Sequence, residues 1–194
     1  MARLRRIWSG RWLGVPAAAL TSLGVAVRVL RDRFTTLLAR GNLGALGAGS
    51  VIQAGSIIRY PGQVCVGSDS SIASGVEISS EMPDTRCRIG SSVIIGVGVR
   101  IDFSGGLIVE NDVVISENVT IYTHSHGLDP KSIPTKTPLV IERGVWIGSR
   151  ALIIEGCARI GAGSVVAAGS VVTKEVPPGV VVAGVPARVI KAIA

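Results

Sequence analysis

Residues 160–177 consist of three consecutive six-residue units, IGAGSV, VAAGSV and VTKEVP. Similar units recur upstream, as LGAGSV and IQAGSI at 46–57, IGSSVI and IGVGVR at 89–100, and VENDVV and ISENVT at 109–120. An aliphatic residue every sixth position does not follow the 3.6-residue period of a helix. The units are also not joined by the Asn-Gly or Asp-Gly turns of hairpins. The pattern predicts a solenoid of short extended segments that turns every six residues.

The composition agrees with such a solenoid. Glycine accounts for 25 of the 194 residues, and aromatic residues make up only 4%. Glycine supplies the unusual backbone angles that repeated corners need. A narrow interior of stacked Ile, Val and Ala leaves little room for aromatic rings. We therefore predict an all-β fold, a parallel β-helix of hexapeptide repeats with an N-terminal helical segment.

The net charge of +7 is concentrated at one end of the chain. Residues 1–40 contain eight arginines and one acidic residue, Asp32, and the remaining residues carry equal numbers of basic and acidic groups. A neutral body with few aromatic platforms argues against nucleic-acid binding. Attraction to an anionic surface would therefore belong to the N-terminal segment alone.

We divide the chain into an N-terminal helical arm (1–45), a β-helix domain (46–182) and a C-terminal segment (183–194). The arm contains an uncharged run from Trp12 to Val27, shorter than the roughly 20 residues that span a bilayer. A membrane-surface anchor, a helix that packs on the body or on a partner subunit, and a signal peptide or true span are the alternatives. We expect a cytoplasmic protein, with peripheral attachment to the inner face of the plasma membrane through residues 1–40 as an option.

We expect the catalytic residues to lie in one interruption of the repeat. Residues 123–140, THSHGLDPKSIPTKTPLV, form a proline-containing loop that includes both histidines of the chain. His124 and His126 are two residues apart and face the same side of an extended segment. An imidazole is suited to act as a general base at neutral pH. Asp102, in a shorter break one coil earlier, is a candidate for binding an acceptor molecule.

We expect no catalytic metal, because zinc catalysis needs about three protein ligands and two histidines two residues apart do not supply them. The three cysteines, Cys65, Cys87 and Cys157, are widely spaced and form no CxxC pair. They are expected to be free thiols.

The loop and the repeat together resemble the hexapeptide-repeat acyltransferases, which fold as left-handed parallel β-helices. The loop is most similar to that of the galactoside and maltose acetyltransferases and the related polysaccharide O-acetyltransferases, whose motif is I-Y-T-x-x-H-x-x-D-P. The matching residues are Ile121, Tyr122, Thr123, His126, Asp129 and Pro130. The resemblance implies that His126 is the catalytic base and that Tyr122 and Asp129 belong to the acceptor site. A histidine at position 124 resembles some polysaccharide O-acetyltransferases, and Gly127 stands where the family usually has proline.

The C-terminal part resembles the same family in V-W-I-G-S at 145–149, V-T-K-E-V-P-P at 172–178 and A-G-V-P-A-R-V-I-K at 183–191. In the family these segments line a coenzyme A groove between subunits of a homotrimer. The resemblance therefore implies acetyl-CoA as co-substrate, with contacts from Trp146, Ser149, Ala168, Thr173, Lys174, Arg188 and Lys191. One extra residue in IIEGCAR, before Ile160, is expected to bulge at a corner.

The sequence thus predicts an O-acetyltransferase that moves an acetyl group from acetyl-CoA to a hydroxyl of a sugar or polysaccharide precursor. Two alternatives stay open: a non-catalytic β-helix scaffold or binding protein, and an acyltransferase for an amino sugar or another small acceptor.

Overall fold

The computed structural model of the protein describes residues 15–193 as one helix followed by a parallel β-solenoid. The predictions for residues 1–14, which include Arg3, Arg5, Arg6, Arg11 and the start of the uncharged run, concern residues outside the described part of the chain. Helix α1 spans Val15–Asn42, and a short 3-10 helix spans Pro61–Gln63.

The solenoid has three sheets, and strands numbered in chain order visit them in turn. Sheet 1 contains β1 (Ala45–Leu46), β4 (Val64–Val66), β7 (Cys87–Ile89), β10 (Leu107–Val109), β15 (Leu139–Ile141) and β18 (Arg159–Ile160). Sheet 2 contains β2 (Val51–Ile52), β5 (Ser71–Ile72), β8 (Ile94–Ile95), β11 (Val114–Ile115), β16 (Trp146–Ile147), β19 (Val165–Val166), β21 (Val180–Gly184) and β22 (Ala187–Ala192). Sheet 3 contains β3 (Ile57–Ile58), β6 (Glu77–Ser79), β9 (Arg100–Asp102), β12 (Thr120–Ile121), β17 (Leu152–Ile153) and β20 (Val171–Val172).

The repeat unit corresponds to one strand and one turn. Strands within each sheet pair in parallel, except that β22 folds back antiparallel on β21. Ile72 lies opposite Ile95 in sheet 2, and Ile101 lies opposite Ile121 in sheet 3, so the aliphatic residues stack into a buried ladder. The prediction of an all-β parallel β-helix with an N-terminal helix is confirmed.

All the extra residues of the chain fall at one corner of the prism. From sheet 1 to sheet 2 and from sheet 2 to sheet 3, ladder residues are six apart in every coil, as in Ile89, Ile95 and Ile101. Only the connection from sheet 3 back to sheet 1 varies in length. We call this edge the insertion corner; its segments are 59–63, 80–86, 103–106, 122–138 and 154–158.

The insertion corner accounts for two details of the sequence. The extra residue before Ile160 lies in segment 154–158, and β18 regains its register with Ile160 opposite Ile141. Phe103, in the four-residue segment 103–106, is fully buried. The expectation that the interior leaves little room for rings is therefore wrong at this position, which lies at the insertion corner and outside the regular ladder.

Helix α1 covers the first coil only near its C-terminal end. Thr36 Oγ1 accepts a hydrogen bond from the Ile52 N–H (3.0 Å), and Asp32 Oδ1 accepts one from the Ala54 N–H (2.9 Å). These donors lie along the edge strand β2, which has no preceding coil to pair with. Residues 21–31 are exposed throughout. Within residues 15–193, no helix is both long and apolar enough to cross a membrane.

Candidate active site

Consecutive insertions stack at the insertion corner and enclose a pocket of about 240 Å³. Its floor is the outer face of sheet 3, and its rim comes from segments 80–86 and 122–138. The lining residues are Glu77, Ser79, Glu81, Arg100, Ile101, Asp102, Thr120, Ile121, Tyr122, His124 and His126. Both histidines of the chain therefore line one pocket.

The histidines are held by a small hairpin. Strands β13 (His124–Ser125) and β14 (Thr135–Lys136) pair antiparallel, with His124 opposite Lys136. Lys136 Nζ also forms a salt bridge with Asp84 at 2.9 Å, which ties the hairpin to segment 80–86. The hydrogen bond from Lys136 lowers the pKa of the exposed Asp84 carboxyl below its usual value.

His126 is oriented by the backbone of its own loop. Its Nδ1 lies 2.8 Å from the carbonyl oxygen of Ser132, and the Ser132 hydroxyl donates back to the His126 carbonyl at 2.8 Å. A carbonyl oxygen only accepts, so Nδ1 carries the proton of the bond. In the neutral ring the lone pair then lies on Nε2, which faces the pocket 3.3 Å from Glu81 Oε2. A half-buried imidazole in this tautomer has the form that a general base requires.

His124 is part of a hydrogen-bond network that reaches Glu81. Its Nδ1 lies 2.7 Å from Asp102 Oδ1, and Asp102 Oδ2 accepts from the Ser104 hydroxyl at 3.0 Å. Ser104 Oγ in turn accepts from the Glu81 N–H at 2.8 Å. The side chains of His124 and Asp102 are 8% and 12% exposed, so the network is fixed before any ligand arrives. The two imidazole rings stand edge to face, with centroids 5.1 Å apart.

The stem of the hairpin rests on the preceding insertion. Thr123 Oγ1 accepts from the Gly105 N–H (2.8 Å) and donates to the Asp102 carbonyl (3.0 Å). The Thr123 carbonyl accepts from the Thr137 N–H where the loop returns (2.9 Å). A Cβ at Gly105 would overlap that carbonyl. The absence of a side chain at residue 105 is thus what allows the stem to approach.

The three predicted acceptor-site residues lie in different settings. Tyr122 is half-exposed and lines the pocket. Asp102 also lines it, but its carboxylate is already bonded to His124 and Ser104. Asp129 lies in the exposed hairpin tip, where its Oδ1 accepts from the Lys131 N–H and its carbonyl accepts from the Ser132 N–H, both at 2.9 Å. Asp129 therefore shapes the turn that presents the Ser132 carbonyl to His126.

The predicted coenzyme A contacts divide between two edges of the prism. Thr173 and Lys174 follow β20 at the insertion corner, two strands along sheet 3 from β12 and the histidines. Parallel strands lie about 4.8 Å apart, so this separation is about 10 Å. Lys174 and Arg188 line one pocket of about 370 Å³. Lys191 is exposed on β22, opposite Val181.

The other contacts lie at the opposite end of the sheet 3 strands. Ser149 and Ala168 occupy stacked turns between sheets 2 and 3, where the Gly169 N–H donates to the Ser149 carbonyl at 2.9 Å. Trp146 stands on the outer face of β16 and donates from Nε1 to the Ser116 hydroxyl at 3.0 Å. One chain does not bring these three residues to the edge that carries Lys174.

Glu81, Ser104 and Ser132 were not predicted from the sequence. Glu81 and Ser104 belong to the site through contacts between different coils. Ser132 contacts His126 only because the hairpin folds back on itself. One signal was available: Glu81 and His124 each lie three residues after a ladder residue of sheet 3, Ile78 and Ile121. Equivalent offsets in stacked coils bring side chains to the same edge.

Comparison with known proteins was made first at the level of sequence. No family model matches the chain. The 2,3,4,5-tetrahydropyridine-2,6-dicarboxylate N-acetyltransferase of Clostridium perfringens is 62% identical over 60 residues, which is 31% of this chain and 25% of that protein. The enzyme of the same name from Staphylococcus aureus is 55% identical over 58 residues, 30% of this chain and 24% of that protein. The chain thus spans about a quarter of the length of these curated relatives.

Solved structures match over most of the chain. A hexapeptide-repeat-containing acetyltransferase from Vibrio cholerae, complexed with acetyl coenzyme A, is 28% identical with a TM-score of 0.60, covering 96% of this chain and 92% of that one. AntD, an N-acyltransferase from Bacillus cereus in complex with dTDP and 3-hydroxybutyryl-CoA, is 19% identical with a TM-score of 0.72, covering 82% and 88%. The fold is therefore that of the hexapeptide-repeat acyltransferases.

The Gly105 contact gives a test of the site's geometry. Substitution Gly105→Ala would displace the Thr123 carbonyl and with it the start of the hairpin. A misplacement of about 1 Å costs about 10²-fold in catalysis, so kcat/KM for acyl transfer is expected to fall by about that factor. Steady-state kinetics measure kcat/KM, and a thermal melt measures the stability of the variant. The control Gly41→Ala, where nothing lies within 4 Å of the added Cβ, should leave kcat/KM unchanged; equal effects of the two substitutions would contradict the model of the stem.

Proposed function

We propose that the protein is an acetyl-CoA-dependent acetyltransferase that acetylates a hydroxyl group of a sugar or polysaccharide precursor. The observation that carries the proposal is the state of His126, whose Nδ1–H is bound to the Ser132 carbonyl and whose Nε2 lone pair faces the pocket. The likeness to a structure complexed with acetyl coenzyme A over 96% of this chain supports the choice of donor.

The proposed reaction is a direct transfer without an acyl-enzyme. His126 Nε2 removes the proton of the acceptor hydroxyl while its oxygen attacks the thioester carbonyl carbon. The C–S bond breaks as the oxyanion collapses, and the protonated His126 returns its proton to the coenzyme A thiolate. The resemblance assigns the oxyanion contact to a backbone N–H near Ser149. The hydrogen bond to Asp102 holds the imidazole of His124 beside the acceptor.

Lys174 and Arg188, near the C-terminal coil, are suited to bind the nucleotide end of coenzyme A. Lys174 and Arg188 share a pocket and are exposed, so they are available to the phosphates of coenzyme A. A pantetheine arm is a long amide chain, and it can follow the edge of stacked coils from these residues toward His126. Thr173 lies along the same edge, and Lys191 on β22 is a further basic group for the nucleotide.

An amine acceptor is the second candidate. The Glu81 carboxylate lies within 3.8 Å of the Nε2 atoms of both histidines, which offers an ammonium group three hydrogen-bond acceptors. The partial matches to N-acetyltransferases and the likeness to AntD favour this candidate as well. Parallel assays with a sugar and with the matching amino sugar separate the two candidates.

The role of His126 is tested by its removal. We expect His126→Ala to lower kcat by about 10²–10⁴-fold, because no general base then removes the proton of the acceptor hydroxyl. Release of coenzyme A from acetyl-CoA, followed with a thiol reagent and a panel of sugars and amino sugars, measures the rate. Lys131→Ala, an exposed side chain on the same hairpin, serves as the control and should keep the rate. Near-normal turnover of His126→Ala would overturn the assignment.

We also propose that the working unit is a homotrimer. Two observations support it: the predicted coenzyme A contacts divide between two edges, and the hairpin tip exposes the large apolar residues Leu128 and Ile133 completely or nearly so. A neighbouring subunit would bring the edge with Trp146, Ser149 and Ala168 to the edge with His126 and Lys174. It would also cover the hairpin tip.

The trimer is tested by charging the hairpin tip. The double substitution Leu128→Asp and Ile133→Asp should convert a trimer into monomers and abolish acetyl transfer, because two carboxylates cannot be buried in an apolar contact. Light scattering after gel filtration gives the mass. Lys131→Asp, at the same tip, should leave a trimer. A wild-type protein that is a fully active monomer would contradict the proposal.

The N-terminal arm is proposed to hold the enzyme at an anionic membrane surface. Along the exposed part of α1, apolar side chains such as Leu23, Val27 and Leu30 lie uncovered beside Arg28 and Arg31. Such a helix can bury its apolar side chains in the interface while its arginines meet lipid phosphates.

A deletion of residues 1–28 tests the membrane proposal without disturbing the solenoid. It removes five of the eight arginines but keeps Asp32 and Thr36, which a deletion through residue 40 would also remove. At about 1 kcal/mol for each basic residue, affinity for vesicles containing phosphatidylglycerol should fall by more than about 100-fold. Co-sedimentation measures it, with phosphatidylcholine vesicles and high salt as controls for the wild type. A truncated protein that sediments equally well would contradict the proposal.

A further inference from the structure

Three side chains at the mouth of the pocket place their ligand-type atoms close together. A carboxylate oxygen of Glu81 and one nitrogen each of His124 and His126 all lie within 4.8 Å of one another. Glu81 Oε1 is 3.8 Å from His124 Nε2, and Glu81 Oε2 is 3.3 Å from His126 Nε2. Glu81 is 56% exposed and His126 28%, so the group is open to solvent on one side.

The hydrogen bonds of the two rings decide what this group can bind. The Nδ1 of His124 donates to the Asp102 carboxylate, and the Nδ1 of His126 donates to the Ser132 carbonyl. Both Nε2 atoms therefore present lone pairs toward a carboxylate. Three acceptors converge with no donor among them, and such a cluster is satisfied by protons or by a cation.

The surroundings of the rings are those of metal-ligating histidines. A ligating histidine almost always donates its other ring nitrogen to a carboxylate or a backbone carbonyl, which fixes the tautomer and aims the free nitrogen at the metal. Here His124 has the carboxylate partner, Asp102, and His126 has the carbonyl partner, Ser132. Two imidazoles and one carboxylate, with open positions toward solvent, are a ligand set that Zn²⁺ accepts.

The third ligand is also held in place. The Glu81 N–H donates to Ser104 Oγ at 2.8 Å, and the Lys136–Asp84 salt bridge joins segment 80–86 to the hairpin that carries both histidines. The backbone of Glu81 and the two imidazoles are thus held on a common framework, with the Glu81 carboxylate within reach of both rings. The neighbouring Arg100 is directed to Glu77, 3.4 Å away, and among residues 15–193 Glu81 has no arginine partner.

We propose that Glu81, His124 and His126 form a binding site for a divalent transition-metal ion such as Zn²⁺, and that the metal-bound protein is an inhibited form of the enzyme. The inhibition rests on the proposed function, because a metal on Nε2 of His126 removes the lone pair that takes the acceptor proton. The ion is a reversible inhibitor at this site and takes no part in acyl transfer.

Cobalt serves as a spectroscopic probe of the site in the untagged full chain. Among the cysteines, burial raises the pKa of Cys87 to about 12 and that of Cys157 to about 11, so both stay protonated and are poor ligands at neutral pH. Cys65 is half-exposed, so all proteins carry Cys65→Ser. We expect one Co²⁺ per chain with visible d–d absorption, displaced by Zn²⁺.

Matched variants assign the binding. Glu81→Gln should weaken Co²⁺ binding at least about tenfold, and Asp102→Asn should weaken it by about 10–100-fold although Asp102 is not a ligand. The control Glu77→Gln removes a carboxylate of the same pocket that lies outside the cluster, and it should bind Co²⁺ like the parent. No saturable absorption, or equal affinity of Glu81→Gln and Glu77→Gln, would overturn the site.

The inhibition is measured separately. Saturating Zn²⁺ should suppress acetyl transfer by the parent protein, a chelator should restore it, and Glu81→Gln should require about tenfold more Zn²⁺. Transfer that is unaffected at metal saturation would overturn the inhibited form. A protein that binds Co²⁺ as predicted but transfers no acetyl group would overturn the proposed function and leave the metal site standing.

Discussion

The stacked ladder of aliphatic residues is the constraint on which the rest of the structure depends. Every coil places one residue such as Ile95, Ile115 or Ile147 at the same level of sheet 2, with each fully or almost fully buried. The constant spacing of six residues from sheet 1 to sheet 2 and from sheet 2 to sheet 3 keeps this ladder in register. Within residues 15–193, added residues occur only at the connection from sheet 3 to sheet 1, where they loop out and leave the ladder in register.

This constraint also explains how the site is assembled. Insertions at one corner of successive coils stack, so Glu81, Asp102 and the two histidines meet although they come from three different coils. Rigid coils beneath them hold the hydrogen bonds from His124 to Asp102 and Ser104 in place. The comparison structures share this architecture over most of the chain.

The sequence predicted what depends on short-range periodicity and not what depends on contacts between coils. The ladder, the loop and the pairing of His124 with His126 are visible within windows of six to eighteen residues. Asp102 was placed near the histidines by counting coils, yet its bonds to His124 and Ser104 required coordinates. Glu81 was not predicted because its only signal is an offset of three residues from Ile78, which gains meaning once the coils are known to stack. Phe103 contradicted the expected interior because it lies at the insertion corner, outside the regular ladder.

The two ends of the solenoid differ from its middle in a way that limits assembly. A parallel β-prism exposes an unpaired strand edge at each end, and such edges invite end-to-end stacking into fibres. At the first coil, Asp32 and Thr36 of helix α1 occupy backbone donors of β2. At the last coil, β22 reverses direction over β21 and carries Arg188 and Lys191 outward. The same chain that builds a repetitive, in principle endless, architecture therefore also covers the edge of sheet 2 at both ends.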